Sequence, residues 1–452
     1  MEHYDLVIVG AGSGNMLPSD DLDGWRIAIV ESDRFGGTCL NRGCIPSKMF
    51  VYAADVAQTV RHAGRYGVGA EVTSIDWPAI RDRVFGRIDP IHDQAVSYRR
   101  RHGIDVFVGQ ARFVAPYEVE VDGARVHGDR FVVAAGSRPA VPSLRGLDQV
   151  SHHTSDTIMR LDSLPASMVV LGGGFIAAEM SHVFASLGTR VTIVHRGDTL
   201  LAPHDRDVRR RFTDIYAQRF DLRLHTQIER VEPSAVGLVA HLVDDEGTRT
   251  TAEAETMLVA IGRVPNSDLL DAAAGGLALD EHGHIRTDDT YATNVANVWA
   301  LGDTTNHYQL KHLANAEARI VRHNLLHPDA PARAKFPVVP AAVFADPQVA
   351  TAGLTEDELE RQGRAYVAST RDYSDTAYGW ALEDTTSFAK VLADPQTRLL
   401  LGAHIIGPQA ATLIQPLIQA ITLGNTVDQI AREVLYIHPA LTEVVENALL
   451  GL

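Results

Sequence analysis

The chain of 452 residues contains two cysteines, Cys39 and Cys44, both within the stretch "GGTCLNRGCIPSK". Two thiols so placed can do few things. They can serve a zinc ion, but a structural zinc takes about four ligands, mostly Cys and His. The neighbouring His residues are scattered, so no metal site is expected. They can form a structural disulfide, but a loop this small removes little entropy from the unfolded chain. They can also form a bond that opens and closes, and the surroundings suit this use. Gly36 and Gly37 precede the pair, Gly43 lies inside it, and "CIPSKMFVYAADVAQTV" reads as a helix starting at Cys44. A thiol at a helix N-terminus is held toward thiolate. Cys44 is therefore expected to be the thiolate-like sulfur. Cys39, one loop earlier, is expected to be the more exposed partner that attacks an external disulfide.

A switchable bond needs an electron source, and two segments read as nucleotide sites. "YDLVIVGAGSGN" (4–15) and "SMVVLGGGFIAAE" (167–179) each run a continuous apolar strand into glycines. Such strands suit a parallel sheet covered on both faces, and the glycines let a pyrophosphate approach a helix start. One glycine fingerprint alone is weak, because any tight strand-to-helix turn uses the same residues. Gly10, Gly12 and Gly14 are followed about 20 residues on by "RIAIVE", which ends in Glu31, where a carboxylate binds ribose hydroxyls. The first site therefore reads as one for an adenine dinucleotide with free ribose, such as FAD. After Gly172 and Gly174, the strand "RVTIVHR" ends in His195 and Arg196. No carboxylate stands there to repel a 2′-phosphate, and Arg196 can pair with one, so the second site leans to NADPH. "NMLPSDDLDGW" is a poor helix, with Pro18 and three acids, Asp20, Asp21 and Asp23. A short or distorted helix is expected there, its acids turned away from the pyrophosphate.

Several elements must hold these sites. "RFVVAAGSRP" (130–139) and "TMLVAIGRVPN" (256–266) are alike: strand, small-residue turn, Arg, Pro. "NVWALGDTTN" (297–306) reads as a strand that resumes the first nucleotide domain after an inserted second one, with a helix following at Lys311. From about residue 336 the texture becomes an antiparallel sheet with helices. The expected fold is α/β: two Rossmann-like dinucleotide-binding domains, the second inserted in the first, plus a C-terminal α+β domain. The boundaries are 1–145 and 267–336 for the first, 146–266 for the second and 337–452 for the third. A net charge of −16 argues against nucleic acid and anionic membrane surfaces. No apolar run of about 18 residues appears. The start "MEHYDLVIVGAGSG" lacks the basic and apolar regions of a signal peptide, so a reducing, cytoplasmic setting is expected.

Taken in order, these motifs resemble the flavoprotein pyridine nucleotide-disulfide reductases, which include glutathione reductase, dihydrolipoamide dehydrogenase, trypanothione reductase and mercuric reductase. The resemblance covers essentially the whole chain: the first glycine turn, the cysteine pair, "AAGSRP", the second glycine turn, "AIGRVPN", "ALGD" and "HPALTE". Within the family, "CIPSKMFVYAADVA", "VFGRIDPI", "HTSDTIMR", "AYGWALEDT" and "IHPALTEVVENALLGL" resemble the branch that reduces mycothione, the disulfide of mycothiol.

The resemblance implies roles. FAD would lie along Gly10, Gly12, Gly14, Glu31 and Thr38, with Ala135, Gly136 and Gly302 returning to it. Asp303 would bind its ribitol, and the helix start near His312 would face the pyrimidine end of the ring. Lys48 and Glu179 would pair beside flavin N5. NADPH would meet Gly172, Gly174, Ile176, Glu179 and Arg196, with Gly262 and Arg263 on its other side. Phe175 would shield the flavin until nicotinamide displaces it. Glutathione reductases carry a second basic residue six positions after the Arg196 position, where this chain has Ala202. Electrons would pass from flavin to Cys44, and Cys39 would attack the substrate. His438, oriented by Glu443, would act as acid and base from the partner subunit of a homodimer joined through the C-terminal domain.

The implied function is NADPH-dependent reduction of a small disulfide, most specifically mycothione, in cell redox homeostasis. The acidic segment near the family's substrate contacts lacks arginine and disfavours a polyanionic disulfide such as that of glutathione. Three alternatives differ in residues. An NAD-linked dihydrolipoamide dehydrogenase favours an acid where His195 stands. A flavin oxidase or peroxidase needs one redox cysteine. A redox sensor that does not turn over has no leaving thiolate for His438 to protonate.

Overall fold

In the computed structural model, which describes residues 2–452, the strand Leu6–Val9 lies at the centre of a five-stranded parallel sheet. The order is Val298–Ala300, Phe131–Val133, Leu6–Val9, Ile27–Glu31, Asp105–Val108. Side chains alternate across a strand, and both faces here are apolar. Val7, Val9, Phe131 and Val133 pack on one side with Phe113 and Ile285. Leu6, Ile8 and Ile29 pack on the other with Leu17, Phe35, Val321 and Leu325. This sheet belongs to one of two compact units, made of Met1–Ser47, Ala79–Ala140 and Gly262–Lys335.

The other unit comprises Lys48–Pro78, Val141–Ile261 and Phe336–Leu452. It repeats the arrangement around Ser167–Leu171, in the order His152–His153, Thr256–Val259, Ser167–Leu171, Arg190–Val194, Asp221–Arg223, again all parallel. The two central strands end in the same way. Gly10 has φ of +104°, and a Cβ there would stand 2.2 Å from the Ala134 carbonyl oxygen. Gly172 has φ of +137°, and its Cβ would stand 2.2 Å from the Ala260 carbonyl oxygen. Only glycine meets both demands.

The same unit holds an antiparallel five-stranded sheet. Its strands Phe388–Ala393 and Leu400–Ile406 are buried throughout, and the helices Gln415–Leu423, Val427–Arg432 and Thr442–Leu450 contribute to its core. The fold is thus α/β, with two Rossmann-like parallel sheets and a C-terminal α+β layer. The look-alike segments of the sequence prove to be partners: Ser137–Pro139 pairs antiparallel with Arg263–Pro265. No α-helix follows the first glycines. Two single 3₁₀ turns, Gly14–Met16 and Asp20–Leu22, stand in its place, with Leu17 and Leu22 buried and Asp20, Asp21 and Asp23 exposed. Among the described residues no helix is long and apolar enough to cross a membrane.

Candidate active site

Cys39 sits third in a five-residue helix, Gly37–Asn41, and Cys44 begins the helix Cys44–His62. Both are thiols, and the Cys39 side chain hydrogen bonds to Cys44. That bond, then burial, then the charge of Cys44 push the Cys39 thiol well above its ordinary range, against a smaller opposing pull from Lys311. The expected order of exposure is reversed: Cys44 is exposed and Cys39 half-buried. The reason is local. The Asn41 side chain donates to the carbonyls of Phe35 and Gly37, both at 3.0 Å, and holds the short helix inward. Cys44 has no preceding turn of its own helix to cover it.

The cysteine loop lies against the first glycine turn. A Cβ on Gly37, where φ is +62°, would come within 2.8 Å of Gly12 Cα, and the Gly36 amide donates to the Ala11 carbonyl at 3.0 Å. Glu31 is buried at its strand end, where Oε2 accepts the Ala11 amide at 2.8 Å. Burial raises its pKa despite that bond. Thr38 follows Gly37 in the short helix. The Asn266 amide nitrogen donates to the Gly136 carbonyl and its side chain to the Ala135 carbonyl, fixing the "AAGS" turn. Asp303, in the 3₁₀ turn Gly302–Thr304, accepts Ser137 Oγ at 2.7 Å. Arg263 donates to Ser137 Oγ at 2.8 Å and to its carbonyl at 2.6 Å. Its guanidinium therefore braces Ser137 and, through it, Asp303. His312 is exposed in the first turn of the helix Lys311–Leu326.

In the other unit, Lys48 Nζ meets both carboxylate oxygens of Glu179 at 2.7 Å. Glu179 is buried and also accepts the Phe344 amide at 3.0 Å, and Lys48 Nζ stands 4.6 Å from the Phe344 ring centre. Glu179 lies on the helix Phe175–Leu187, capped by Gly174. Phe175, its first residue, is 45% exposed, which rules out an ordinary core role, and Ile176 beside it is half-buried. The His195 ring lies so close to Gly173 that a Cβ there would meet it at 2.6 Å. Burial lowers the pKa of His195, so it stands neutral next to the exposed Arg196. His438 is largely exposed, and its Nδ1 is 2.8 Å from Glu443 Oε1. The hydrogen bond to His438 is the main cause that lowers the Glu443 pKa.

Comparison with known proteins decides the family. Residues 4–318 match the model for pyridine nucleotide-disulphide oxidoreductases, and residues 339–449 match the dimerisation domain of the same group. The chain is 46% identical to the mycothione reductase of Mycobacterium tuberculosis over all of both sequences. It is 33% identical to the dihydrolipoyl dehydrogenase of Halobacterium salinarum, covering 98% of this chain and 95% of that one. Among solved structures, the HOCl-induced flavoprotein disulfide reductase RclA of Escherichia coli superposes with a TM-score of 0.86 at 25% identity, covering 99% of each chain. The chain belongs to the pyridine nucleotide-disulphide oxidoreductase family. It is an FAD-dependent disulfide oxidoreductase that draws on NAD(P)H, with a C-terminal dimerisation domain.

The residues present fit the family's cofactors. Glu31 and the Gly10–Gly14 turn supply the acid and the close backbone that FAD requires. A Cβ added at Gly136, Gly174 or Gly262 would meet nothing within 4 Å, so each glycine borders open space that a cofactor can enter. Three residues of this family member escape sequence reading. Ser137 links Arg263 to Asp303. Glu317 is buried and accepts the Gly302 amide at 2.6 Å. Lys311 donates to Ser13 Oγ at 2.9 Å and interacts electrostatically with both cysteines. The helix "KHLANAEARIVRHNLL" is legible, but nothing in its pattern separates these two side chains from solvated ones.

Proposed function

We propose that the enzyme reduces mycothione with NADPH, through FAD and a Cys39–Cys44 disulfide, in the cytoplasm. The reading rests on the 46% identity to a mycothione reductase over the full length of both chains. We take residues 1–145 and 267–336 as the FAD domain, 146–266 as the NADPH domain and 337–452 as the dimerisation domain. Each of the first two is built around one of the parallel sheets. Bound FAD would supply two-electron chemistry, linking hydride from NADPH to the protein disulfide.

The chain's own residues do the rest. Gly10, Gly12, Gly14, Glu31, Thr38, Ala135, Gly136, Gly302, Asp303 and His312 hold FAD. Gly172, Gly174, Phe175, Ile176, Gly262 and Arg263 border the nicotinamide nucleotide, and Arg196 pairs with its 2′-phosphate. Lys48 places a positive charge by the flavin, and Glu179 fixes its direction. Opening the Cys39–Cys44 bond with two electrons leaves the thiolate on Cys44, at its helix start, and the proton on Cys39, whose pKa is raised. Cys39 then needs a base.

His438 of the partner subunit is suited to it. Glu443 receives Nδ1–H, so Nε2 presents a lone pair. His438 takes the Cys39 proton, and Cys39 attacks one substrate sulfur. The departing thiolate takes that proton back. Cys44 then attacks the Cys39 sulfur, which restores the disulfide and expels the second thiolate, and that thiolate takes up the one proton drawn from solvent. NADPH, a proton and one disulfide become NADP⁺ and two thiols.

The test is a panel of mycothione, glutathione disulfide, lipoamide and trypanothione, each assayed with NADPH and NADH. Highest kcat/KM for mycothione with NADPH is expected. Preference for lipoamide with NADH would replace the reading with dihydrolipoamide dehydrogenase.

A further inference from the structure

His182 is completely buried, and none of the steps above uses it. It stands on the same helix as Glu179, nearly one turn later. Its Nε2 lies 2.8 Å from Asp55 Oδ1, on the helix that Cys44 begins. Its Nδ1 lies 3.1 Å from Arg219 Nη2 and 3.2 Å from Ser186 Oγ. A guanidinium only donates. Nδ1 is therefore the acceptor, the ring proton sits on Nε2, and Nε2 donates to Asp55. The buried imidazole joins a carboxylate on one helix to a guanidinium on another.

The contacts continue past Arg219 and close on themselves. Arg219, the last residue of the helix Arg206–Arg219, donates from Nη1 to the Asp346 carbonyl at 3.3 Å and stands 3.6 Å from its carboxylate. Two residues before Asp346 is Phe344, whose amide binds Glu179 and whose ring faces Lys48. Lys48 leads back to the helix that carries Asp55. Ser186 strengthens the crossing. Its hydroxyl accepts from Arg219 at 2.8 Å and from Gln58 at 3.1 Å, and its carbonyl accepts from Arg61. Asp55, Arg61, Arg219 and Asp346 are the charged groups that face or adjoin the imidazole.

We infer that His182 is a positioning residue: the closed circuit of Asp55, His182, Arg219, Asp346, Phe344, Glu179 and Lys48 fixes where the Lys48 ammonium stands. A shift of about 1 Å at a reacting centre can cost on the order of a hundredfold in rate, and the circuit holds the Glu179 helix against the Cys44 helix on that scale. The inference rests on the role proposed above for Lys48.

The test uses FAD-loaded enzyme carrying His182→Ala, His182→Gln, Asp55→Ala or Lys48→Gln. Flavin reduction by NADPH is followed anaerobically, and amide hydrogen exchange across residues 175–187 is measured with and without FAD. His182→Ala and Asp55→Ala are expected to slow flavin reduction about ten- to a hundredfold and to speed exchange in the first turns of that helix. His182→Gln, whose amide can still donate to Asp55, is expected to recover most of both. Native rates and native exchange in His182→Ala and Asp55→Ala would overturn the inference. If His182→Ala does not retain FAD, Asp55→Ala decides, because that carboxylate is half-exposed. A native rate in Lys48→Gln would instead overturn the role of Lys48 beneath it. A slow Lys48→Gln beside native His182→Ala and Asp55→Ala would sink the positioning role alone.

Discussion

Glu317 Oε2 accepts the Gly302 amide at 2.6 Å, which locks a buried carboxyl group next to the turn that carries Asp303. Burial raises its pKa from 4.5 to about 7, and the charge of Asp303 adds to the rise. Between those values the folded protein binds the proton that the unfolded chain has released. This group's contribution therefore falls as pH rises from about 4.5 to about 7, then stays level. Glu317→Gln cannot titrate. Its stability relative to the native enzyme should improve on going from pH 5 to pH 8, by on the order of 2 kcal/mol. Unfolding midpoints of both proteins at the two pH values check this, and parallel pH profiles would contradict it.

The hydrogen bond between Cys39 and Cys44 divides their labour. That bond and burial raise the Cys39 pKa, while Cys44 begins a helix, whose N-terminus favours a thiolate. Cys44 is also the exposed sulfur, the one that a bound flavin can cover. Anaerobic addition of two electrons should produce a long-wavelength absorption band from the Cys44 thiolate beside the flavin. Cys39→Ser should retain such a band and lose disulfide turnover. Cys44→Ser should lose the band. A band that survives in Cys44→Ser would reverse the roles.

Much of this architecture is legible in the chain because its cause is local. Apolar runs, LVIV at 6–9 and MVVL at 168–171, dictate buried parallel strands, and glycines at their ends are demanded by the Ala134 and Ala260 carbonyls. Pro18 and its acidic neighbours foretell the missing helix. What the sequence conceals depends on residues brought together from afar. Cys39 looks like the exposed sulfur until Asn41 is seen to hold its helix inward. Arg263 gives no sign in the sequence of the brace it forms on Ser137. His182 reads as one polar residue on an apolar helix. Its meaning comes from Asp55, 127 positions away, and Arg219, 37 positions away.

Arg196 is exposed. Its neighbour His195 is neutral, since burial lowers its pKa. A 2′-phosphate would therefore meet one cation and no carboxylate at the strand end. Losing one charge-assisted contact is worth about 1.5–3 kcal/mol. Arg196→Gln should raise the KM for NADPH about tenfold or more and leave the KM for NADH nearly unchanged. Equal changes for both nucleotides in steady-state kinetics would show that Arg196 does not read the phosphate.

Lys390 is buried, and its ammonium stands 2.9 Å from Asp205 while also meeting Asp207 and Glu356. The three carboxylates lie close enough together to hold a metal ion, but the lysine supplies their positive charge. Removing it strips the fully buried Asp205 carboxylate of its lysine, while Glu356 keeps Arg206 at 3.5 Å. Lys390→Met should destabilise the protein by about 3–5 kcal/mol, read as a lower denaturant midpoint. A loss under about 1 kcal/mol, the value of a surface ion pair, would mean that water already reaches the cluster.

On the proposed mechanism, His438 is the final link between reduced sulfur and substrate. Its Nδ1 is bound to Glu443, whose pKa that bond lowers, so the carboxylate stays ionised and Nε2 stays free to exchange a proton. The ring is largely exposed. His438→Ala should lower disulfide turnover by about 10²–10⁴-fold, while NADPH reduces the flavin at close to the native rate. Glu443→Gln preserves the shape but not the anion and should fall between the two. Rapid-mixing measurements of each half-reaction separate the steps. If flavin reduction fell together with turnover, His438 would be holding the dimer together rather than moving a proton.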